Sequence, residues 1–342
     1  MRALVLGLGS IGMRHARNLR TLGIEALSGF DPTPERRERF AQKLGGVVFD
    51  DLDQALDARP DLVIVASPNV FHLAQADRAL DAGVPALLIE KPLGTDLEHA
   101  RRFVRRAAET DAFIHGGSNW KYHPAFETMK KLLDEKALGK VTAVQVLAGQ
   151  WLPDWHPWED YRAGYSARHD LGGGAIFDTH ELDYITWLFG PADRFAGMHG
   201  NRAGLEISTE DTAVALVSFT NGVLGVLQTD YVQRTPQRRY VITGSKGTLT
   251  WTLAENAITI TRQRDVAPER IDVAADDLND MYVAQSRDVL ARIRDGRSPT
   301  TPVSHMLHVL ELQHRWHTQA GAAMIDDPTA GLAAPAPARL RA

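Results

Sequence analysis

Leu4-Val5-Leu6-Gly7-Leu8-Gly9-Ser10-Ile11-Gly12-Met13 opens the 342-residue chain and decides how the rest is read. The apolar run at residues 3–6 has the character of a strand, and residues 13–22 have helical spacing. A second apolar run over 24–30 stops at Asp31, about 20 residues beyond Gly12, the separation at which a ribose-binding acid is expected. A lone Gly-x-Gly-x-x-Gly is weak evidence. Strand, glycine turn, helix, strand and acid in this order make a dinucleotide-binding fingerprint with a physical basis. Gly7 permits the tight turn, Gly9 lets backbone approach a pyrophosphate, and Gly12 lets the helix pack against the strand. The helix start at Ser10 and Ile11 offers free N–H groups and a positive dipole end to phosphate. Asp31 is expected to accept a hydrogen bond from a ribose 2′-OH and to repel a 2′-phosphate. That favours NAD, with NADP as the alternative because Thr33 and Arg36 follow.

Two domains are the natural expectation for this length. The net charge of −5 is mild and its signs are interspersed, so no nucleic-acid patch stands out. With no cysteine in the chain, disulfides, thiol catalysis and cysteine-ligated metal are excluded, which fits a reducing, cytoplasmic setting. No signal-peptide pattern opens the sequence, and no stretch reaches the roughly 20 apolar residues that span a bilayer. No membrane partner is expected.

Residues 1–120 alternate strand-like runs (3–6, 24–30, 62–66, 86–89, 112–115) with helical patterns (13–22, 34–44, 71–82, 96–109). This predicts an α/β, doubly wound parallel sheet of Rossmann type, with ligands at the C-terminal strand ends. Residues 121–325 change character. A helix at 124–135 and strand-like runs at 141–148, 212–219, 223–231, 239–243, 247–251 and 257–261 predict an α+β domain. Its sheet should be open and mainly antiparallel, with hairpin signals at Asn221-Gly222 and Gly244–Gly247. Helices are expected at 175–189, 279–294 and 303–319, and a loose Ala/Pro-rich tail at 326–342.

Candidate chemistry gathers at the expected ligand edge. Ser67-Pro68-Asn69, with His72 just beyond, follows the strand at 62–66; it reads equally as a nicotinamide-side loop or as a turn with Asn69 capping a helix. Glu90-Lys91-Pro92 follows the strand at 86–89. A lysine there can polarise an oxygen and carry a proton if burial lowers its pKa; the plain alternative is a surface lysine. In the second domain, Gly172-Gly173-Gly174 leads into Asp178-Thr179-His180-Glu181-Leu182-Asp183. His180, Asp183, Tyr184 and Trp187 share one helical face. His180 can exchange protons near neutral pH, or it can be a core histidine behind a capping Asp178. The aromatic stretch 151–166 contains Trp155, Tyr161 and Arg162 and suits the C–H faces and hydroxyls of a sugar ring, or it is a loop packed by its own aromatics. The histidines at 305, 308, 314 and 317 are spread around a helix and predict no metal site.

Taken in order, Gly7-x-Gly9-x-x-Gly12, Ala66-Ser67-Pro68-Asn69-x-x-His72, Glu90-Lys91-Pro92 and Asn119-Trp120-Lys121-Tyr122-His123-Pro124 resemble the Gfo/Idh/MocA family of glucose–fructose oxidoreductase, inositol dehydrogenase and relatives, to about residue 320. The resemblance implies that Gly7, Gly9, Ser10, Ile11, Gly12, Asp31, Ser67, Pro68, Asn69, His72, Glu90 and Lys91 bind NAD(P). It implies a catalytic set of Lys91, Asp178 and His180, in which His180 takes a hydroxyl proton and Lys91 stabilises the oxyanion. Family sequences commonly place three residues between the acid and the histidine, whereas this chain has one. Lys91, Lys121, Trp155, Tyr161, Arg162, His180 and Asp183 are expected to line the substrate. The implied reaction is reversible oxidation of a secondary alcohol on a sugar, sugar derivative or cyclic polyol. The alternatives are transient oxidation by tightly bound NAD, driving epimerisation or elimination, and a non-catalytic sugar sensor. A cis Lys91–Pro92 bond and a homodimer or homotetramer built on the second sheet are also implied.

Overall fold

The computed structural model describes residues 1–318 apart from 156, 158–159 and 274–276. The expected tail and the end of the second domain therefore lie outside the described residues, as do His156, Trp158 and Glu159 of the aromatic stretch.

Six strands, β1 (Arg2–Leu6), β2 (Ala26–Phe30), β3 (Val47–Phe49), β4 (Leu62–Val65), β5 (Ala86–Glu90) and β6 (Phe113–Gly117), form a parallel sheet in the order β3-β2-β1-β4-β5-β6. The central strands are buried on both faces, as their unbroken apolar runs require. Helices α1 (Ser10–Thr21), α2 (Pro34–Leu44), α3 (Leu52–Asp57), α4 (His72–Asp81) and α5 (Leu97–Ala107) connect them. The strand order reverses between β1 and β4, which is the crevice where such sheets hold ligands.

The glycine turn fits its sequence reading in atomic detail. Gly7 has φ +88°, and a Cβ on Gly12 would stand 1.8 Å from the Gly7 carbonyl oxygen, so helix and turn can meet only without side chains.

After α6 (Pro124–Asp134) the chain builds a second sheet from β7 (Val141–Gly149), β8 (Ala192–Gly200), β9 (Thr212–Phe219), β10 (Leu224–Asp230), β11 (Gln237–Gly244), β12 (Gly247–Thr252), β13 (Ala257–Thr261) and β14 (Glu269–Asp272). Its order is β14-β13-β12-β11-β7-β10-β9-β8. Every pairing is antiparallel except β7 with β10, so the sheet is mixed but mainly antiparallel, as expected. One face carries the larger core, where Trp251, Tyr240, Phe126, Tyr184 and Trp316 meet. The other face leaves Met198, Leu216, Leu224 and Val226 exposed.

The single helix expected over 175–189 is two: α7 (Ala175–Asp178) and α8 (Glu181–Phe189). Thr179 between them is extended, with ψ 140°, which breaks the helical run. The last helices, α9 (Asp280–Asp295) and α10 (Val303–Thr318), return to the parallel sheet. Val289 packs with the α1 residues Ala16 and Leu19, and Leu310 with Ala100, Phe103 and Ile114. Between them Thr301 accepts the Gly116 N–H at 2.9 Å, covering the free edge of β6.

Candidate functional site

The N-terminal turn is shaped to receive a dinucleotide. Gly9 caps α1 with no side-chain acceptor, so the first N–H groups of the helix are left for a ligand. A Cβ on Gly9 would meet no protein atom within 4 Å, so this is where space is kept beside the backbone. Ser10 is exposed, while Ile11 packs against the second domain's core. Asp31 sits at the end of β2, almost wholly buried. Its carboxylate accepts the N–H of Leu8 at 2.8 Å and of Thr33 at 2.9 Å, so it braces the glycine turn, with lone pairs left for a ribose hydroxyl. The Arg36 guanidinium stands 3.5 Å from it. The residues present fit an NAD-type cofactor.

The strand ends behind this turn are tied together by groups expected to touch the cofactor directly. His72 is buried, with Nδ1 2.8 Å from the Pro92 carbonyl and Nε2 2.8 Å from that of Ser67. It thereby fixes the loop after β4 to the loop after β5. Asn69 is also buried, and its amide donates to the Gly172 carbonyl of the second domain at 2.8 Å. Ser67 donates to Gln75, 2.8 Å away. Glu90 pairs with His15 of α1 at 2.7 Å; burial pushes its carboxyl up, but His15 and Lys91 hold it below its ordinary value. His72, Asn69 and Glu90 thus hold the strand ends and the second domain in place through these protein partners.

Lys91 precedes Pro92 through a cis bond, and its side chain reaches the second domain. Its Nζ donates to the Asp178 backbone carbonyl at 2.7 Å and lies 3.9 Å from Asp178 Oδ1. That oxygen is buried without a hydrogen-bond partner among the described residues, while Oδ2 accepts the Tyr231 hydroxyl at 2.6 Å. The shortened spacing between Asp178 and His180 is accommodated by the extended Thr179. His180 heads α8, with Nδ1 3.0 Å from the Tyr184 hydroxyl. Burial, then the charges of Lys91 and Arg238, push its imidazole well below the usual histidine pKa, against the opposing pull of Asp183. Lys91, Asp178 and His180 are thus brought together across the domain seam.

The substrate-lining expectations fare differently. Lys121 is buried, with Nζ 2.9 Å from Asp183, and donates to Thr301 at 3.1 Å. Burial lowers its pKa despite the Asp183 charge. Burial alone would raise Asp183, but Lys121 and then His305, at 2.5 Å, keep it well below the carboxylate range. This pair is an internal strut of low exposure at both ends. The Arg162 guanidinium is exposed and engaged by Asp160 at 2.9 Å and Glu206 at 2.5 Å. Trp155 packs edge-on against Tyr231 with ring centres 5.3 Å apart, and Tyr161 joins the same small cluster. Through Tyr231, Trp155 supports Asp178.

Sequence reading did not single out Tyr231, His15 or Arg238. Arg238 lies 3.9 Å over the Trp120 ring and 2.7 Å from Glu181, whose other oxygen accepts the His180 N–H at 3.1 Å. All three act across large sequence separations, for which no local spacing exists.

Comparison with known proteins agrees with this geometry. Residues 1–118 match the model described as the oxidoreductase family with an NAD-binding Rossmann fold, and residues 126–250 match the GFO/IDH/MocA C-terminal domain. The UDP-N-acetylglucosamine 3-dehydrogenase of Acidithiobacillus ferrooxidans is 30% identical over 246 residues, 70% of this chain and 70% of that one. The scyllo-inositol 2-dehydrogenase (NAD(+)) of Bacillus subtilis is 24% identical over 311 residues, 87% of this chain and 88% of that one. A levoglucosan dehydrogenase, solved in complex with NADH and levoglucosan, has the same fold, with TM-score 0.83 at 17% identity over 94% of this chain and 97% of that one. With both halves of the family pattern matched in order, the chain belongs to the GFO/IDH/MocA oxidoreductases and carries their NAD-binding Rossmann domain.

Proposed function

We propose that this chain oxidises a secondary alcohol of a neutral sugar, sugar derivative or cyclic polyol, reversibly and with NAD. The observation that carries the reading is Lys91 Nζ, held on the Asp178 carbonyl at 2.7 Å, with an unpartnered carboxylate oxygen 3.9 Å away and His180 two residues on. The Gly7–Gly12 turn, the start of α1 and Asp31 would hold the cofactor, which supplies the hydride acceptor when bound. Lys91 and His180 act on the reacting oxygen, and Asp178 holds the amine in place. Among the described residues, Lys91 is paired with Asp178, Arg238 with Glu181 and Lys121 with Asp183, which favours an uncharged reacting ring.

No described helix is long and apolar enough to cross a membrane. The apolar outer face of β8–β10, where Leu216 pairs across from Val226, supports a homodimer or homotetramer through this sheet. The absence of cysteine supports a cytoplasmic location.

The test is NADH formation over a panel of inositols, free sugars, sugar acids and nucleotide sugars, run beside Lys91→Ala. The variant is expected to lose about 10²–10⁴-fold in kcat while binding NAD as the parent does. Near-normal turnover in Lys91→Ala, or no reduction of NAD across the panel, would refute the reading.

A further inference from the structure

We propose that Tyr184 is a positioning residue that fixes the tautomer of His180, so that the other ring nitrogen, Nε2, carries the proton and His180 serves as a hydrogen-bond donor, leaving Lys91 to take the substrate's proton. This rests on the alcohol-oxidising reading above and reverses the division of labour that the sequence suggested.

The argument is one of hydrogen-bond accounting. The Tyr184 hydroxyl is fully buried. It accepts the Trp120 backbone N–H at 3.2 Å and lies 3.0 Å from His180 Nδ1. A hydroxyl has one proton to donate, and among the described residues Nδ1 is the acceptor within reach of it. If Nδ1 were protonated, two donors would point at the Tyr184 oxygen and its own proton would be stranded. An unmet buried hydroxyl biases such an equilibrium by roughly ten-fold or more. Tyr184 O–H therefore donates to Nδ1, and the neutral ring holds its proton on Nε2. The two rings stack within 6° of parallel, which fixes the plane in which Nε2 points. Charging the ring is opposed by burial and by Lys91 and Arg238, with only Asp183 favouring it, so an imidazolium is a poor resting place for a substrate proton.

Lys91 is placed for that task. In its amine form Nζ keeps one N–H on the Asp178 carbonyl and has a lone pair free. As the substrate O–H bond breaks, its proton would join that lone pair, and a bound NAD⁺ would supply the acceptor for the carbinol hydride, leaving a carbonyl. The ammonium produced sits 3.9 Å from Asp178 Oδ1, an oxygen with no other partner among the described residues. Nε2–H of His180 steadies the oxygen as charge develops on it.

The tautomer is read without substrate, so its failure is distinct from failure of the sugar reading. In protein labelled with ¹⁵N-histidine, the His180 signals are identified among the 13 histidines by difference with His180→Gln. Nε2 is expected at the protonated position and Nδ1 at the lone-pair position. Tyr184→Phe is expected to shift the ring toward a mixture of tautomers and to lower kcat about ten-fold, with NAD binding unchanged. His180→Gln, whose amide donates but cannot take a proton, is expected to stay at least about ten-fold more active than Lys91→Ala. A wild-type ring protonated on Nδ1 would overturn the proposal even if Tyr184→Phe failed to fold. So would a tautomer indifferent to Tyr184→Phe, or a His180→Gln enzyme as inactive as Lys91→Ala.

Discussion

Gly9→Ala separates the cofactor's needs from those of the fold. At Gly9 φ is −67°, open to any residue, and an added Cβ meets no protein atom within 4 Å. The variant should fold. Alanine restricts the unfolded chain, which stabilises by about 0.4–1 kcal/mol, and is a poorer helix cap than glycine by a similar amount, so the net change is close to zero. The same methyl group intrudes where a pyrophosphate must approach the helix start. A forced overlap of that kind costs about 1–3 kcal/mol, or roughly 5- to 150-fold in the Kd for NAD. Gly12→Ala is the contrast. Its Cβ would fall 1.8 Å from the Gly7 oxygen, against a floor of 3.0 Å for real contacts, and both partners are backbone. Helix and turn must part, so this variant should lose both stability and NAD. Calorimetric titration with NAD, beside thermal unfolding of the three proteins, decides the matter. A folded Gly9→Ala protein that binds NAD as tightly as the parent would refute the placement of the pyrophosphate.

Acidification and the outer sheet face give two more expectations. His115 and His123 are buried and pushed down to about 4, by burial first and then, for His123, by Arg238. The unfolded chain takes up protons on these rings as pH falls below about 6.5 while the folded chain does not, so stability is full above that pH and declines toward pH 4, by about 3 kcal/mol per ring. Urea midpoints that stay constant between about pH 7 and pH 5 would contradict this. Leu216→Asp, on the exposed face of β9, is expected to leave the fold intact and to halve or quarter the particle mass seen by light scattering. A parent protein that already sediments as a monomer would dismiss the interface.

The parallel half of the fold was legible because its signals are local: glycines at a turn, apolar runs of strand length, helical periods between them. β3 and α3 escaped because three and six residues are too few to establish a period. β8 escaped because Asp193 and Arg194 follow its first residue and apolar Met198 faces outward, so inside and outside do not alternate cleanly in chemistry. The parallel pairing of β7 with β10 joins segments about 80 residues apart and is decided by packing alone. The return of α9 and α10 to the first sheet is equally non-local. At the site, Lys91, Asp178 and His180 could be found because each sits in a short motif. Of the partners around those three, Tyr231 and Arg238 act across large sequence separations and acquire meaning only through distance, whereas Tyr184 lies one helical turn from His180 and shares its face by spacing alone. The carboxylate partners of Lys121 and Arg162 were likewise beyond sequence reading, because each pair is set by packing.

One seam bond has a wider consequence. The Lys91 amine belongs to one lobe and its seat, the Asp178 carbonyl, to the other. A 2.7 Å bond of this type is spent once the lobes drift by about 1 Å. On the proposed reading the amine works as a gauge of lobe registration: a chain sprung apart would still carry the nucleotide but would stop being a catalyst. Wear at the clasp between Asn69 and Gly172 would then silence turnover and leave the first lobe's ligand in place.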